Sequence, residues 1–205
     1  MLNQNQPQNQ QQPSSQLPPQ MQFGGHELLD ADEAIGALVG ALEHYVLYDQ
    51  YVKDQELSNI MQRQRGFLNQ LYNTILDTLK TGKDPAVKTQ TYNMQYGNES
   101  LYGMKQSSPK TPIQSVNELN DECISGYILS HLKAVSTSFT LAALEATNPV
   151  LRRVFADSTP NTIEMAYELY LYMNKHGYYQ VAQLQQQDMQ MIMNSYGPVQ
   201  GNMSH

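Results

Sequence analysis

The stretch NPVLRRVF, residues 148–155, is echoed 94 residues earlier by DQELSNIM, residues 54–61. Each stretch opens with a residue that commonly caps a helix, carries Leu in its fourth place and ends on a bulky apolar pair. A capping residue followed by an amphipathic run marks the start of a helix. The two stretches therefore predict two tight turns, each of which joins a pair of helices.

The segments around these turns carry apolar residues in a three–four alternation, which is the pattern of helices packed side by side. We predict a first helix over 28–52 and a second over about 55–80, which Gly82 ends. A third helix is predicted over about 116–147 and a fourth from Asn148–Pro149 to about residue 176. No alternating run with turn residues at both ends predicts a strand.

The 94-residue offset also aligns apolar positions of the first helix pair with those of the second. The aligned pairs are Leu38 with Leu132, Tyr45 with Phe139, Leu57 with Leu151, Ile60 with Val154 and Ile75 with Leu169. We therefore expect two helical hairpins of related design, at about 28–82 and 116–177. Because short turns join their helices, each hairpin is expected to be antiparallel.

A connection of about 33 residues, 83–115, separates the hairpins. So long a loop is unusual inside a compact domain, but it can return the chain along the full length of the helices. The prediction is an all-α fold: a ferritin-like four-helix bundle, 26–179, of two antiparallel hairpins joined by a long crossover.

The two ends differ in composition from the predicted bundle. Residues 1–25 are rich in Gln, Asn and Pro, and such a segment buries too little apolar surface to fold, so we expect disorder. Residues 180–205 form a Gln/Met-rich tail. Within this tail the spacing of Val181, Leu184, Met189 and Ile192 predicts a short amphipathic helix.

Composition narrows the class of protein. The chain has 205 residues, a formal net charge of −7 and no basic run, which disfavours binding to nucleic acid. No run approaches the ~20 apolar residues of a membrane span. The sequence begins without a basic and an apolar signal region, so we expect synthesis in the cytoplasm and no signal peptide.

Cys123 is the single cysteine, which precludes an internal disulfide, and we expect it to be a buried apolar residue.

Ferritin-like bundles often hold a pair of metal ions, and the ligands include a Glu-x-x-His motif on each of two helices. No Glu-x-x-His occurs in this sequence. The helices offer instead these groups, which we interpret as solvated or helix-end groups: Glu43, His44, Asp54, Glu56, Asp77, His131, Glu145, Glu164 and Glu168. We predict no metal ligand, no cofactor and no catalytic residue. Neither a Gly-x-Ser-x-Gly elbow nor a phosphate loop is present, and Cys123 lies ~12 Å along its helix from His131.

Asp49 is an exception, because it lies on the apolar stripe of the first helix. One interpretation is a hydrogen-bonded buried polar group near the end of the bundle, paired with the inward-facing Gln64 of the second helix. The other is a carboxylate left over from a metal-binding ancestor.

Residues 119–180 resemble the Coat F domain of the spore coat protein F family. The resemblance rests on LND at 119–121, on Lys133, on EATNPVLRRVF at 145–155 and on ELYLYMNKHGYY at 168–179. It implies a ferritin-like helical protein incorporated into, or associated with, the endospore coat, and it brings no catalytic residue or cofactor. Pro160 departs from the family pattern, and we expect it to kink or split the fourth helix near Ser158.

These patterns predict a structural or coat-associated protein that is not an enzyme. Its fourteen Tyr and low charge suit a surface that contacts other coat proteins and a second copy of itself. One alternative is a ferritin-like metal-binding oxidoreductase or metal-storage protein. Another is a regulatory binding module whose Gln-rich tails recruit partners.

Overall fold

The computed structural model describes residues 12–199, and the regular structure in them is helical. This confirms the predicted all-α class. The four long helices are α1 (Gly25–Asp49), α2 (Gln55–Thr81), α3 (Asp121–Glu145) and α4 (Pro149–Lys175), and a short fifth helix, α5, spans Gln186–Met193. Single 3₁₀ turns occupy Ser14–Gln16, Pro19–Met21 and Val116–Glu118. No helix within 12–199 is long and apolar enough to cross a membrane.

The echoing stretches are the N-caps of α2 and α4. The Asp54 carboxylate accepts a hydrogen bond from the backbone N–H of Glu56, and the Asn148 amide oxygen accepts from those of Val150 and Leu151. These side chains satisfy N–H groups that have no partner inside the helix. At the other end of α2, Gly82 adopts φ +65°, which glycine tolerates at little cost.

The third helix begins later than predicted, at Asp121 rather than near Val116. Asn120 is its N-cap and accepts from the backbone N–H of Cys123, whereas Val116–Glu118 form a separate 3₁₀ turn capped by Ser115. The apolar periodicity continues through both pieces. Only the capping side chains separate them.

The fourth helix is continuous through Pro160, so the predicted split near Ser158 is wrong. Proline removes one helical hydrogen bond at this point. Ser158 and Thr162 are fully buried on either side of it, and the Ser158 hydroxyl donates to the carbonyl of Val154. Packing on both sides of the proline therefore holds the helix in one piece.

Contacts at the helix ends fix the directions of the four long helices. Helix α1 packs against α2 and α3, and α4 packs against the same two. The start of α1 meets the start of α4 where Glu27 accepts from the backbone N–H of Asn148, which directly follows the end of α3. At the opposite end, Tyr172 of α4 donates to Asp54 at the start of α2. Each packed pair is therefore antiparallel, and α2 and α3 begin at the same end.

The interior is built from equivalent positions of the two helix pairs. All ten residues aligned by the 94-residue offset are at most 4% exposed. Moreover, α1 and α3 each have 25 residues, and α2 and α4 each have 27. The two pairs are thus similar in length and in which positions they bury.

The crossover, 83–115, follows α4 from its middle to its end. Its first part is tied to α2, where Thr74 donates to the carbonyl of Val87. It then meets α4 at Asn161, at Glu168 and at Asn174 in turn. This path carries the chain from the end of α2 to the start of α3.

The segments outside the long helices differ in how closely they pack against those helices. The second 3₁₀ turn, Pro19–Met21, lies against the end of α2, where a Cβ at Gly82 would come within 2.0 Å of the Pro19 carbonyl oxygen. This part of the predicted disordered tail is therefore placed on the helices, while 1–11 lie outside the described residues. The predicted C-terminal helix is present in part as α5, which includes Met189 and Ile192 but begins after Val181 and Leu184, and it has no buried residue. Residues 200–205 are also outside the described part.

Candidate functional site

The most heavily bonded polar side chain between the helices is that of Glu168, on α4. It is 0% exposed, and its neighbours on the same helix face, Met165 and Tyr172, are buried as well. Charged residues are rarely buried completely unless they are paired. Its partners therefore decide what this site can do.

Four donors surround the Glu168 carboxylate. Its Oε1 accepts from Nη2 of Arg63 at 2.7 Å and from the backbone N–H of Gln95 at 3.0 Å. Its Oε2 accepts from Nε2 of Gln64 at 3.0 Å and from the Tyr92 hydroxyl at 2.5 Å. Two of these donors belong to α2 and two to the crossover. We call this arrangement the carboxylate clasp, because one side chain of α4 holds both segments.

The clasp extends to α1 through Tyr45. Its buried hydroxyl donates to Oε1 of Gln64 at 2.6 Å, and Nε2 of Gln64 also donates to the carbonyl of Met165. Burial raises the pKa of Tyr45, and the nearby Tyr92 and Glu168 raise it further. Burial and the hydrogen bond to Glu168 likewise raise the pKa of Tyr92. Both phenols therefore stay protonated as donors over the physiological range.

The residues of the clasp do not fit a pair of metal ions. A dinuclear centre needs several carboxylates and imidazoles whose lone pairs point at the ions. Here a single carboxylate faces an amide, a guanidinium and two other donors, so its lone pairs are already used. A cation beside Arg63 would also be repelled. The clasp binds the protein's own crossover instead.

The structure separates the two residues singled out by sequence. Gln64 is fully buried, as predicted, but its partners are Tyr45 and Glu168 rather than Asp49. Asp49 is exposed at the last position of α1, so its interpretation as a buried polar group is wrong. The apolar stripe gave a false signal because α1 ends there and no helix covers that position.

The other candidates are spread over the surface. Glu43 and Glu145 are exposed and Glu164 is half-buried, whereas Glu168 is not the solvated group that was predicted. Cys123 is partly exposed in the first turn of α3, and not buried as expected.

His44 and His131 lie together on the surface between α1 and α3. Their rings are in contact, with centroids 4.2 Å apart and planes tilted by 33°. Each Nδ1 contacts the carbonyl four residues earlier in its own helix. This anchors both rings to the helix surface.

Two surface clusters bring carboxylates and an imidazole together. One joins Asp54, Glu56 and His176 where the start of α2 meets the end of α4. The other joins His26, Asp30 and Glu145 at the opposite end. Neither was predicted, because their members are distant in sequence and only antiparallel packing unites them.

The tyrosines divide between core and surface. Tyr92 packs edge-on against Phe67 with ring centroids 5.4 Å apart, and Tyr172 is fully buried. By contrast, Tyr167, Tyr170 and Tyr179 form a chain of ring contacts near the surface, with the Lys133 ammonium 5.6 Å from the Tyr179 ring centroid. A second set of exposed apolar side chains lies on α1 and α3: Leu29, Val46, Leu47, Leu141 and Leu144.

These features define a class: an all-helical protein whose central carboxylate fastens its own crossover, with aromatic and apolar groups on its surface. The Coat F domain matches residues 120–182. Over 180 residues the chain is 45% identical to the spore coat protein F-like protein YhcQ of Bacillus subtilis (strain 168). The aligned region covers 88% of this chain and 83% of that relative. No solved structure matches the chain. The chain belongs to the spore coat protein F family, as the resemblance predicted.

Proposed function

We propose that this protein is a structural component of the bacterial endospore coat, that it assembles through protein–protein contacts, and that it has no catalytic activity. The observation that carries the proposal is the 45% identity over most of the chain to a relative named as spore coat protein F-like. The geometry of the clasp supports it, because the central carboxylate is engaged by the chain's own donors. Under this proposal the protein reaches the coat by binding other coat proteins.

We also infer that the four long helices form a ferritin-like bundle of two antiparallel hairpins. The inference is supported by the packing of α1 and α4 against both α2 and α3, and by the crossover that runs along α4. In this arrangement the clasp joins α1, α2 and α4 through Tyr45, Gln64 and Glu168, and its carboxylate is engaged by the chain's own donors. The proposed role is therefore structural rather than that of an oxidoreductase or a metal store.

The outer face of α1 and α3 supports self-association into a dimer. Lys133 is the only Asp, Glu, Lys or Arg residue between Cys123 and Leu144 of α3. Leu141 and Leu144 are 53% and 77% exposed. Apolar helix faces of low charge favour association, and symmetric dimers are the commonest result. An acidic chain with this surface is proposed to contact proteins and not nucleic acid.

The coat assignment is tested in sporulating cells that carry a fluorescent fusion to the full chain. We expect fluorescence around the spore and recovery of the protein in the extract of purified coats. If the fusion remained soluble and was washed away from released spores, the proposal would fail.

The dimer is tested by sedimentation of Leu144→Glu and of Ile163→Glu, a matched exposed apolar residue on α4 (56% exposed). We expect the wild type and Ile163→Glu to sediment as dimers and Leu144→Glu as a monomer. Equal sedimentation of all three would show that this face does not pair.

A further inference from the structure

The surface cluster of Asp54, Glu56 and His176 lies at the end of the helices where α2 begins and α4 ends. His176 Nε2 is 3.7 Å from Oδ2 of Asp54 and 3.5 Å from Oε2 of Glu56. The three atoms all lie within 4.8 Å of one another. They come from two elements more than one hundred residues apart in sequence, which only the antiparallel packing of α2 and α4 brings together.

We propose that Asp54, Glu56 and His176 bind a single divalent transition-metal ion, with Zn²⁺ as the expected ligand. Zinc binds carboxylate oxygen and imidazole nitrogen at about 2.0–2.2 Å, so its tetrahedral ligands are about 3.4 Å apart. The observed separations of 3.5 and 3.7 Å are close to this value. One nitrogen and two carboxylate ligands also leave a fourth position for water, and they suit Zn²⁺ better than Ca²⁺ or Mg²⁺.

Neighbouring groups already orient the two carboxylates. Oδ1 of Asp54 accepts from the backbone N–H of Glu56 at 2.8 Å, and Oδ2 accepts from the Tyr172 hydroxyl at 3.0 Å. The Tyr96 hydroxyl donates to Oε1 of Glu56, which leaves Oε2 on the side of the imidazole. Partners of this kind hold ligands in place and strengthen metal sites.

The imidazole of His176 contacts two aromatic rings that also contact each other. Its centroid is 4.4 Å from that of Tyr172 and 5.6 Å from that of Tyr178. Since these contacts restrict rotation of the ring, Nε2 stays directed at the carboxylates. A free surface imidazole loses conformational entropy when it binds a ligand, and this loss is smaller for His176 because its ring is already restricted.

A lysine already places a positive charge at this site. The Nζ atom of Lys175 is 3.0 Å from each oxygen of Glu56, and its side chain is 57% exposed. The Glu56 carboxylate thus already holds one cation, and because Lys175 is exposed, a metal ion can displace it into solvent. Removing this lysine is expected to strengthen metal binding.

The second cluster does not offer an equivalent site. His26 is 77% exposed and its Nδ1 is bound to Asp30 of the same helix at 2.8 Å. Glu145 is farther away, at 3.8 Å, and 48% exposed. This cluster serves as the control, because it has the same residue types without the aromatic support.

The test is calorimetric titration of the full, tag-free chain with ZnCl₂, after removal of metal with a chelator. We expect one ion per chain, and we expect His176→Gln and Glu56→Gln each to weaken binding by at least the 10- to 100-fold that outer-shell partners alone contribute. Lys175→Gln is expected to bind severalfold more tightly than the wild type. His26→Gln is expected to match the wild type.

Circular dichroism of each metal-free variant establishes that it is folded before titration. Substitution with Co²⁺ supplies a second measurement, because a four-coordinate site with one imidazole absorbs visible light and His176→Gln should abolish that absorption. The proposal is overturned if His176→Gln binds Zn²⁺ like the wild type, if the loss follows His26→Gln instead, or if the wild type binds none. None of these results bears on the coat assignment.

Discussion

Glu168 is a buried carboxylate whose hydrogen-bond donors all come from the surrounding protein. Each of its two oxygens accepts two hydrogen bonds, and Arg63 supplies the compensating charge at 2.7 Å. Burial lowers the pKa of Arg63, but the contact with Glu168 outweighs this and raises it, so the guanidinium stays charged. Since the Tyr92 hydroxyl, the Gln95 N–H and Nη2 of Arg63 would lack their acceptor if the carboxylate were lost, the clasp behaves as one unit.

We expect Glu168→Gln to lower the free energy of unfolding by about 2–4 kcal/mol, because the new amide group faces donors and leaves Arg63 without its counter-charge. The estimate lies below the full value for a buried ion pair because Arg63 is 27% exposed. Urea unfolding at neutral pH measures the effect.

The matched control is Glu164→Gln, one turn earlier on the same helix and half-buried. It makes the same chemical change outside the clasp and is expected to stay within about 0.5 kcal/mol of the wild type. Equal losses in the two variants would mean that Glu168 has no special part in stability.

The sequence predicted Gln64 as an inward group and missed Glu168, although both lie on apolar stripes. Met165 and Tyr172 are three residues before and four residues after Glu168, a spacing that places all three on one helix face. This is the same signal that wrongly selected Asp49. What distinguishes them is the crossover, which supplies Tyr92 and Gln95 as donors to Glu168. Loop conformation cannot be obtained from periodicity.

At the scale of elements, the crossover is fastened to α4 at three places about two helical turns apart. Asn161 accepts from the backbone N–H of Tyr92 and donates to the carbonyl of Gln90. Asn174 accepts from the N–H of Leu101 at 2.6 Å and donates to its carbonyl at 2.9 Å. Glu168 lies between them. One polar face of α4 thus replaces the backbone partners that a strand would have in a sheet.

We expect Asn174→Ala to accelerate hydrogen exchange at the Leu101 amide by at least tenfold, because that N–H loses its acceptor. The Tyr92 amide, which Asn161 holds, should be unaffected. Amide exchange followed by mass spectrometry or NMR measures both sites in one sample.

Asn161→Ala provides the reciprocal control. It should release Tyr92 and leave Leu101 protected. If either variant accelerated exchange equally at both amides, the crossover would open as a single unit and the three attachments would not act separately.

Helix ends were predicted well where a side chain caps them and less well elsewhere. Both ends of α2 and the start of α4 were predicted to within one residue from the capping residues Asp54, Gly82 and Asn148. The start of α3 was placed five residues early, because Leu119 and Val116 continue the apolar pattern across the Asn120 cap. The effect of Pro160 on α4 was overestimated, since the sequence shows that a hydrogen-bond donor is missing but does not show the packing around the proline.

At the scale of the whole molecule, the tyrosines link stability to alkaline pH. Burial raises the pKa of Tyr45 and of Tyr172, and in Tyr172 the hydrogen bond to Asp54 adds to the effect. Burial raises the pKa of Tyr92 too, as does its bond to Glu168. An ordinary phenol loses its proton near pH 10. Above that pH the folded state holds more protons than the unfolded state, so the free energy of unfolding falls as pH rises.

Below about pH 10 we expect the ionisation of these tyrosines to leave the free energy of unfolding unchanged. Above that pH we expect cooperative unfolding, with part of the tyrosine ionisation coinciding with loss of helix. Absorbance at 295 nm and far-ultraviolet circular dichroism, recorded on the same samples, measure the two events. The same chain in concentrated urea is the reference in which all phenols titrate freely. Complete ionisation before any helix is lost would contradict the expectation.

The attachment of the crossover to α4 also decides where the chain tolerates extra length. Between Tyr92 and Leu101 both ends are tied to the helix, so an inserted residue would have to loop out or break a tie. Beyond Lys105 the side chains of 106–109, Gln-Ser-Ser-Pro, are exposed. An epitope placed between Ser107 and Ser108 would therefore leave the clasp intact, and antibody access to it on whole spores would report how deeply the molecule lies within the layers around it.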